Sequence, residues 1–241
     1  MVRQSATGSA IDGVLMEYRT FPAESLVIIP SHLSFEEGAT LGCVGVTAYN
    51  CLFGEKPIAA GDTVLLLGTG AVSMFAAQYA SAVGAEVIFT SSSDVKIAKL
   101  RQLGFLKAIN YTRTPQWHVE VLKMTGGLGV SHIVETGGQS TLRKSIECIR
   151  TGGYIHCVGF LDTTAPDPGD LELTDNGFCK NYVVRGVFVG SVALFREMNQ
   201  FISRHQLQPM IDRVFPFDHV PNAYEYFKKQ VHMGKVVIQV A

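Results

Sequence analysis

No stretch of this sequence approaches the roughly eighteen consecutive apolar residues that a membrane-spanning helix requires. Charge is scarce and has no dominant sign: charged residues make up 17% of the 241, with twenty Lys and Arg against twenty-one Asp and Glu, for a formal net charge of −1. That balance argues against a nucleic-acid binder, which carries a basic face, and against a polybasic membrane anchor. Cysteine is limited to Cys43, Cys51, Cys148, Cys157 and Cys179, an odd number with no CxxC pair. The pattern speaks against a disulfide framework and for buried free thiols in a reducing compartment. The first twenty residues, MVRQSATGSAIDGVLMEYRT, hold no apolar h-region, so no secretory signal is visible and the cytoplasm is the expected location.

What the chain does have is apolar content, 47% of its residues, which with so little charge excludes a disordered protein. From Asp62 to Val189 short apolar runs alternate with longer amphipathic ones. TVLLLG (Thr63–Gly68), EVIFT, KAINY, VSHIVET, YIHCVGF and VVRGVFVG read as strands. AVSMFAAQYASAVG (from Ala71) and DVKIAKLRQLG (from Asp94) read as helices, and a further helix is expected near Pro115. Near-continuous apolar strands, each followed by a helix, predict an α/β fold: a doubly wound parallel sheet covered on both faces. The flanks differ. VLMEYRT and SLVII, between Val14 and Ile29, read as two strands, and Ser34 with Glu37 predicts a helix N-terminus. MIDRVFPF, a helix from Asp218 to about Lys229, and KVVIQV form a strand–helix–strand tail. The expected organisation is therefore a β-rich remnant over residues 1–42, the main α/β domain over 43–206, and a tail over 207–241 that completes the remnant.

The most specific local signal is Gly68-Thr69-Gly70-Ala71-Val72-Ser73, at a strand-to-helix junction. Gly68 allows the tight turn, Gly70 lets the backbone approach a diphosphate without a Cβ, and the helix presents unpaired N–H groups to the anion. Ser73 stands where a third glycine is usual. The next strand ends in Thr90-Ser91-Ser92-Ser93, with no carboxylate before Asp94. An NAD site usually carries Asp or Glu there. Neutral hydroxyls with Lys96 nearby suit a 2′-phosphate better, so NADP(H) is the expected cofactor. The same TSSSD run also reads as an ordinary helix cap.

In order, the blocks DGVLMEYRTFPAESLVIIP, LSFEEGATLGCVGVTAYN, GDTVLLLGTGAVS, VIFTSSSDVKIAKLRQLG, AINY, GVSHIVETGG, GGYIHCVGF, GVFVGSVALFREM and HMGKVVIQV resemble the medium-chain dehydrogenase/reductase superfamily, most closely its quinone-oxidoreductase and zinc-type alcohol-dehydrogenase-like branch. The resemblance implies a Rossmann domain and assigns positions to the cofactor. Thr47 corresponds to a threonine near the nicotinamide, and Gly70, Ala71 and Val72 to the pyrophosphate turn. Ser91, Ser92, Lys96 and Tyr111 correspond to the surroundings of a 2′-phosphate. Thr136, Gly137, Gly159 and Phe160 correspond to strand ends along the ribose and nicotinamide, and Gly190, Ser191 and Lys235 to the last cofactor-facing stretch. For many of these a packing role at a strand end is the competing reading.

The sequence also departs from that family. Only about a dozen residues precede VLMEYRT, where relatives carry most of a GroES-like catalytic domain. Cys43 falls near a later zinc ligand, but one cysteine cannot hold a catalytic zinc, which takes three protein ligands, so no metal site is expected. Tyr49, Tyr111 and His156 could donate a proton, although Tyr49 and His156 sit in apolar runs that suit a core, and no catalytic residue is assigned. Leu161–Lys180 could form a lid or a surface connection. The resulting expectation is an NADP(H)-dependent, zinc-independent reductase of a small hydrophobic carbonyl, enone or quinone, acting as a homodimer without nucleic-acid or membrane partners. Two alternatives remain: a non-redox enzyme that cyclises, isomerises or dehydrates a hydrophobic substrate, and a non-catalytic nucleotide-binding partner protein.

Overall fold

The computed structural model describes residues 6–159 and 179–240. Six strands form one fully parallel sheet: β1 (Thr63–Leu67), β2 (Glu86–Ser91), β3 (Lys107–Asn110), β4 (Val130–Glu135), β5 (Ile149–Cys157) and β6 (Val183–Gly186). Their spatial order is β3-β2-β1-β4-β5-β6. It reverses direction between β1 and β4, the switch point outside which such sheets bind ligands. This is a Rossmann-type α/β fold, as the strand–helix alternation leads one to expect.

The alternation of side chains in β1 explains the two layers. Val64 and Leu66 face a core shared with α2 (Val46–Phe53), α3 (Ala71–Ala82) and α7 (Val192–His205), where Tyr79, Phe89 and Met198 are buried. Leu65 and Leu67 face the opposite core with Trp117 and Val121 of α5 (Trp117–Met124) and Ile146 of α6 (Gln139–Cys148). A fully buried leucine contributes about 1.5–3 kcal/mol, so this strand, inaccessible on both sides, anchors the centre of the sheet. The helix α4 (Asp94–Gln102) starts one residue after its cap: the Ser93 hydroxyl accepts from Lys96 N. The short α1 (Phe35–Ala39) has the full reciprocal cap expected at Ser34, whose hydroxyl accepts from Glu37 N at 3.2 Å while Glu37 Oε2 accepts from Ser34 N at 2.8 Å. A π-helical turn, Leu41–Gly45, links α1 to α2.

Three expectations about the flanks need correction. VLMEYRT and SLVII form no strands. Between Val14 and Ile29 the only regular element is a 3₁₀ turn, Ala23–Ser25, and Tyr18 and Ile28 are 90% and 91% exposed. A strand needs a partner edge, and among the described residues no sheet offers one to this segment. The small second sheet consists of β7 (Ile211–Pro216) and β8 (Lys235–Gln239), paired in parallel across α8 (Val220–Lys228). Among the described residues it is therefore built from the C-terminal end alone, with α1 packed against β8, rather than from both ends of the chain. Finally, β6 stops at Gly186 rather than reaching Val189: its last tie to β5 is Val187 N to Cys157 O at 2.9 Å, and Val189 then turns at φ 57°. No helix among the described residues is long and apolar enough to cross a membrane.

Candidate functional site

The carboxyl ends of β1, β2, β4 and β5 form a rim held by short ties. Gly68 N donates to Thr90 O at 3.1 Å, the Thr136 hydroxyl donates to Leu67 O at 2.8 Å, and Val158 N donates to Glu135 O at 2.9 Å. Gly68 has φ 82°, a region that costs an L-side chain roughly 1–2 kcal/mol, so glycine is required for the turn itself. Gly70 has an ordinary φ of −73° and serves as N-cap of α3 without any side-chain cap. A Cβ placed on Gly70 would meet no atom within 4 Å. The space above this residue is therefore open, and the first N–H groups of α3, on Ala71, Val72 and Ser73, have no intrahelical acceptor. An open cradle in front of an uncapped helix fits a diphosphate, which the helix dipole stabilises further. Ser73, in the place of a third glycine, is buried and donates its hydroxyl to Leu67 O at 3.3 Å. The helix thus comes close to the sheet with its one extra polar group satisfied.

The end of β2 carries Ser91, buried with its hydroxyl accepting from Ser93 N, and Ser92, which is exposed. Tyr111 N donates to Ser91 O at 3.0 Å, which brings the half-exposed Tyr111 beside the two serines. Lys96 is less free than the sequence suggests. Its ammonium donates to Gln230 O at 2.7 Å, and burial lowers its pKa, with Asp212 opposing and Lys99 adding to the shift. The loop after α8 therefore ties down one end at Lys96. At its other end Gly234 N lies 3.4 Å from Thr69 O and bridges Gly70, which puts Lys235 next to the phosphate turn.

On the far side of the switch point the Thr47 hydroxyl donates to Cys43 O at 2.7 Å and closes the π-helical turn. A Cβ on Gly190 would come within 2.7 Å of Val46 Cγ2, so the β6–α7 turn lies directly on the helix that carries Thr47. Ser191 caps α7 by accepting from Leu194 N. Gly159 lies against the Thr136 backbone, where a Cβ would stand 3.2 Å from Thr136 O. A Cβ on Gly137 would overlap the Thr141 hydroxyl. Phe160 and all of the suggested lid except Cys179 and Lys180 lie outside the described residues. Gly190 is thus brought beside the helix that carries Thr47, and Gly234 and Lys235 beside Gly70.

Sequence reasoning missed Glu135. This carboxylate is 1% exposed, yet Oε1 accepts from Gly137 N (2.8 Å), Gly138 N (3.2 Å) and the Thr141 hydroxyl (2.6 Å), and Oε2 from the Ser145 hydroxyl (2.5 Å). It fixes the whole β4–α6 turn. A lone carboxylate closing an apolar strand before Thr-Gly-Gly was the available signal. Two of the three possible proton donors are withdrawn from the rim. Tyr49 packs among Phe53, Tyr79 and Phe201, and burial raises its pKa. His156 Nε2 lies 3.1 Å from His132 Nδ1 in mid-sheet, and burial pushes the pKa of His156 down to about 3 and that of His132 to about 4. Both rings are neutral near pH 7. Cys43 is exposed on the π-helical turn, and among the described residues no three His, Cys, Asp or Glu side chains gather where a metal could bind. Among the described residues, Cys43 therefore has no partners with which to hold a catalytic zinc.

The chain is similar to known dehydrogenases and reductases. Residues 71–204 match the family model described as zinc-binding dehydrogenase. A zinc-type alcohol dehydrogenase-like protein of Schizosaccharomyces pombe is 46% identical over 238 residues, covering 98% of this chain and 69% of its own length. A 2-haloacrylate reductase from a Burkholderia species is 28% identical over 94% of this chain and 70% of its own. The crystal structure of a protein from Sinorhizobium meliloti 1021 described as an alcohol dehydrogenase superposes with a TM-score of 0.89 at 34% identity, covering 98% of this chain and 67% of that one. The chain spans about two thirds of the length of the relatives it matches.

Proposed function

Since the chain belongs to the zinc-binding dehydrogenase family of the medium-chain dehydrogenase/reductase superfamily, we propose that it is an NADP(H)-dependent reductase of a small hydrophobic carbonyl, enone or quinone that works without zinc. The observation that carries this reading is the open cradle at Gly70 in front of the uncapped α3. Gly68, Gly70, Ala71 and Val72 would hold the diphosphate through backbone N–H groups. Ser91, Ser92, Tyr111 and Lys96 would surround the 2′-phosphate, and the Lys96 ammonium, with three protons to donate, can keep Gln230 O and still reach an anion. Thr47, Thr136, Gly137, Gly159, Gly190 and Ser191 would line the nicotinamide half, with Lys235 beside the diphosphate.

When bound, the nicotinamide supplies a hydride. The chain's own part is to orient the ring against the substrate and to keep water from the rim, a task that relies on positioning more than on acids and bases. Withdrawal of Tyr49 and His156 into the core agrees with this division, and the same withdrawal leaves a cyclising, isomerising or dehydrating mechanism without those two groups. Support for a homodimer comes from β6, an edge strand whose Val183 and Val184 are 36% and 40% exposed. The five free thiols fit a cytoplasmic protein.

The test is turnover and binding with and without nucleotide. Protein stripped of pyridine nucleotide should be inactive on enones and quinones and regain activity with NADPH in preference to NADH. Turnover that persists after stripping, or a melting temperature that shifts with neither nucleotide, would rule the proposal out.

A further inference from the structure

Val189 is the one β-branched residue with a left-handed backbone among the described residues, at φ 57°. Such a conformation is an outlier for valine, and it persists only where its surroundings over-determine it, commonly at functional turns. The surroundings are explicit here. The Asn50 side-chain amide, from the middle of α2, donates to Val189 O at 2.7 Å. The other end of the same amide, Oδ1, accepts from Arg185 Nη2 at 2.5 Å, and Arg185 Nη2 also reaches Asn50 O at 3.4 Å. The Arg185 side chain is only 15% exposed, and the nearest carboxylate, Glu55, is 3.9 Å from its other terminal nitrogen. Gly54 completes the arrangement, since a Cβ there would overlap Asn50 Oδ1 at 2.3 Å. A largely buried guanidinium therefore orients an amide, and the amide holds a strained carbonyl.

The next two residues along the chain are Gly190 and Ser191. Gly190 is pressed on Val46, one residue from Thr47, and Ser191 caps α7. We propose that Asn50, oriented by Arg185, is a positioning residue: it locks Val189 in its left-handed form and so sets the β6–α7 turn as the wall against which the nicotinamide half of the cofactor rests. This rests on the reading of the rim as a nicotinamide-nucleotide site. Neither side chain touches cofactor or substrate. Each acts through the backbone of Val189.

The variant Asn50→Asp reverses the clamp, because a carboxylate keeps a partner for Arg185 but sets an acceptor in place of the donor to Val189 O. NADPH and 2′,5′-ADP, which lacks the nicotinamide half, are titrated against wild-type and variant protein. The expected result is a loss of about tenfold in NADPH affinity, the scale of one well-made contact, with 2′,5′-ADP affinity unchanged. Glycine tolerates a left-handed backbone without a clamp. Hence the double variant Asn50→Asp/Val189→Gly should recover NADPH affinity to within about twofold of Val189→Gly alone. It should also fold if the single variant does not, since it carries no strain to hold. Equal loss for both ligands, no loss for either, or a double variant that neither folds nor recovers would each overturn the proposal. If wild-type protein binds neither ligand, the nucleotide reading itself fails and the proposal falls with it. If wild type binds both and the variant matches it, only the role of Asn50 is lost.

Discussion

Gly68 and Gly70 lie two residues apart in the same turn, and the structure assigns them opposite liabilities. Gly68 sits at φ 82° with nothing near its missing Cβ, so Gly68→Ala is a backbone problem. The strain of about 1–2 kcal/mol should lower the melting temperature by roughly 2–8 °C in a chain of this size. Gly70 sits at φ −73° and ψ 176°, a conformation alanine adopts freely. Gly70→Ala should therefore change stability by no more than about 1 kcal/mol, since the freedom lost by the unfolded chain is offset by alanine's poorer fit at an N-cap. Its added methyl nevertheless occupies the space the diphosphate would fill. Displacing that anion forfeits at least one charge-assisted hydrogen bond, worth about 1.5–3 kcal/mol, which corresponds to roughly a 10- to 150-fold weaker Kd. Differential scanning calorimetry and titration of NADPH fluorescence separate the two quantities. A Gly70→Ala protein that binds NADPH as well as wild type, or one that melts many degrees lower while Gly68→Ala does not, would refute the reasoning.

Further outcomes follow from the interior. Glu135→Ala should destabilise by about 3 kcal/mol or more by chemical denaturation, because the Gly137 and Gly138 N–H groups and the Thr141 and Ser145 hydroxyls lose a common acceptor. Glu135→Gln, which keeps one acceptor oxygen, should cost less. The histidine pair sets a pH dependence. With folded-state values near 4 for His132 and 3 for His156, both below the unfolded value of 6.5, the unfolded chain binds protons first. Their contribution is complete above pH 6.5 and is lost as pH falls toward 4 and 3, with a slope approaching about 1.4 kcal/mol per pH unit for each ring. Replacing both rings by apolar residues should flatten the stability profile between pH 4 and 6. Ser92→Asp, which puts a carboxylate at the end of β2, should weaken NADPH binding far more than NADH binding in parallel titrations.

The parallel sheet and the cradle were legible because each is specified locally. Strand–helix alternation comes from side-chain periodicity, and the tight turn from two glycines at a strand end. The strands expected between Val14 and Ile29 were not legible, because an alternating apolar segment becomes a strand only where a neighbouring edge accepts it, and that is a tertiary fact. Glu135 escaped because its four donors are set by a turn two to ten residues onward, while its type alone suggests a surface carboxylate. Lys96 lies in the first turn of α4, but its tie to Gln230 joins residues far apart in the chain and leaves no mark in the sequence.

The main part of the proposed diphosphate turn lies within β1, α3 and β2, neighbours along the chain, with Gly234 and Lys235 joining from the far end, whereas β1 meets β4 only after two further strand–helix units have been laid down. Contacts close in sequence form fastest, so the anion cradle belongs to the earliest region of the sheet able to assemble. Nucleotide present during refolding should accordingly accelerate the slow arrival of β4, since it secures the edge onto which that strand must zip.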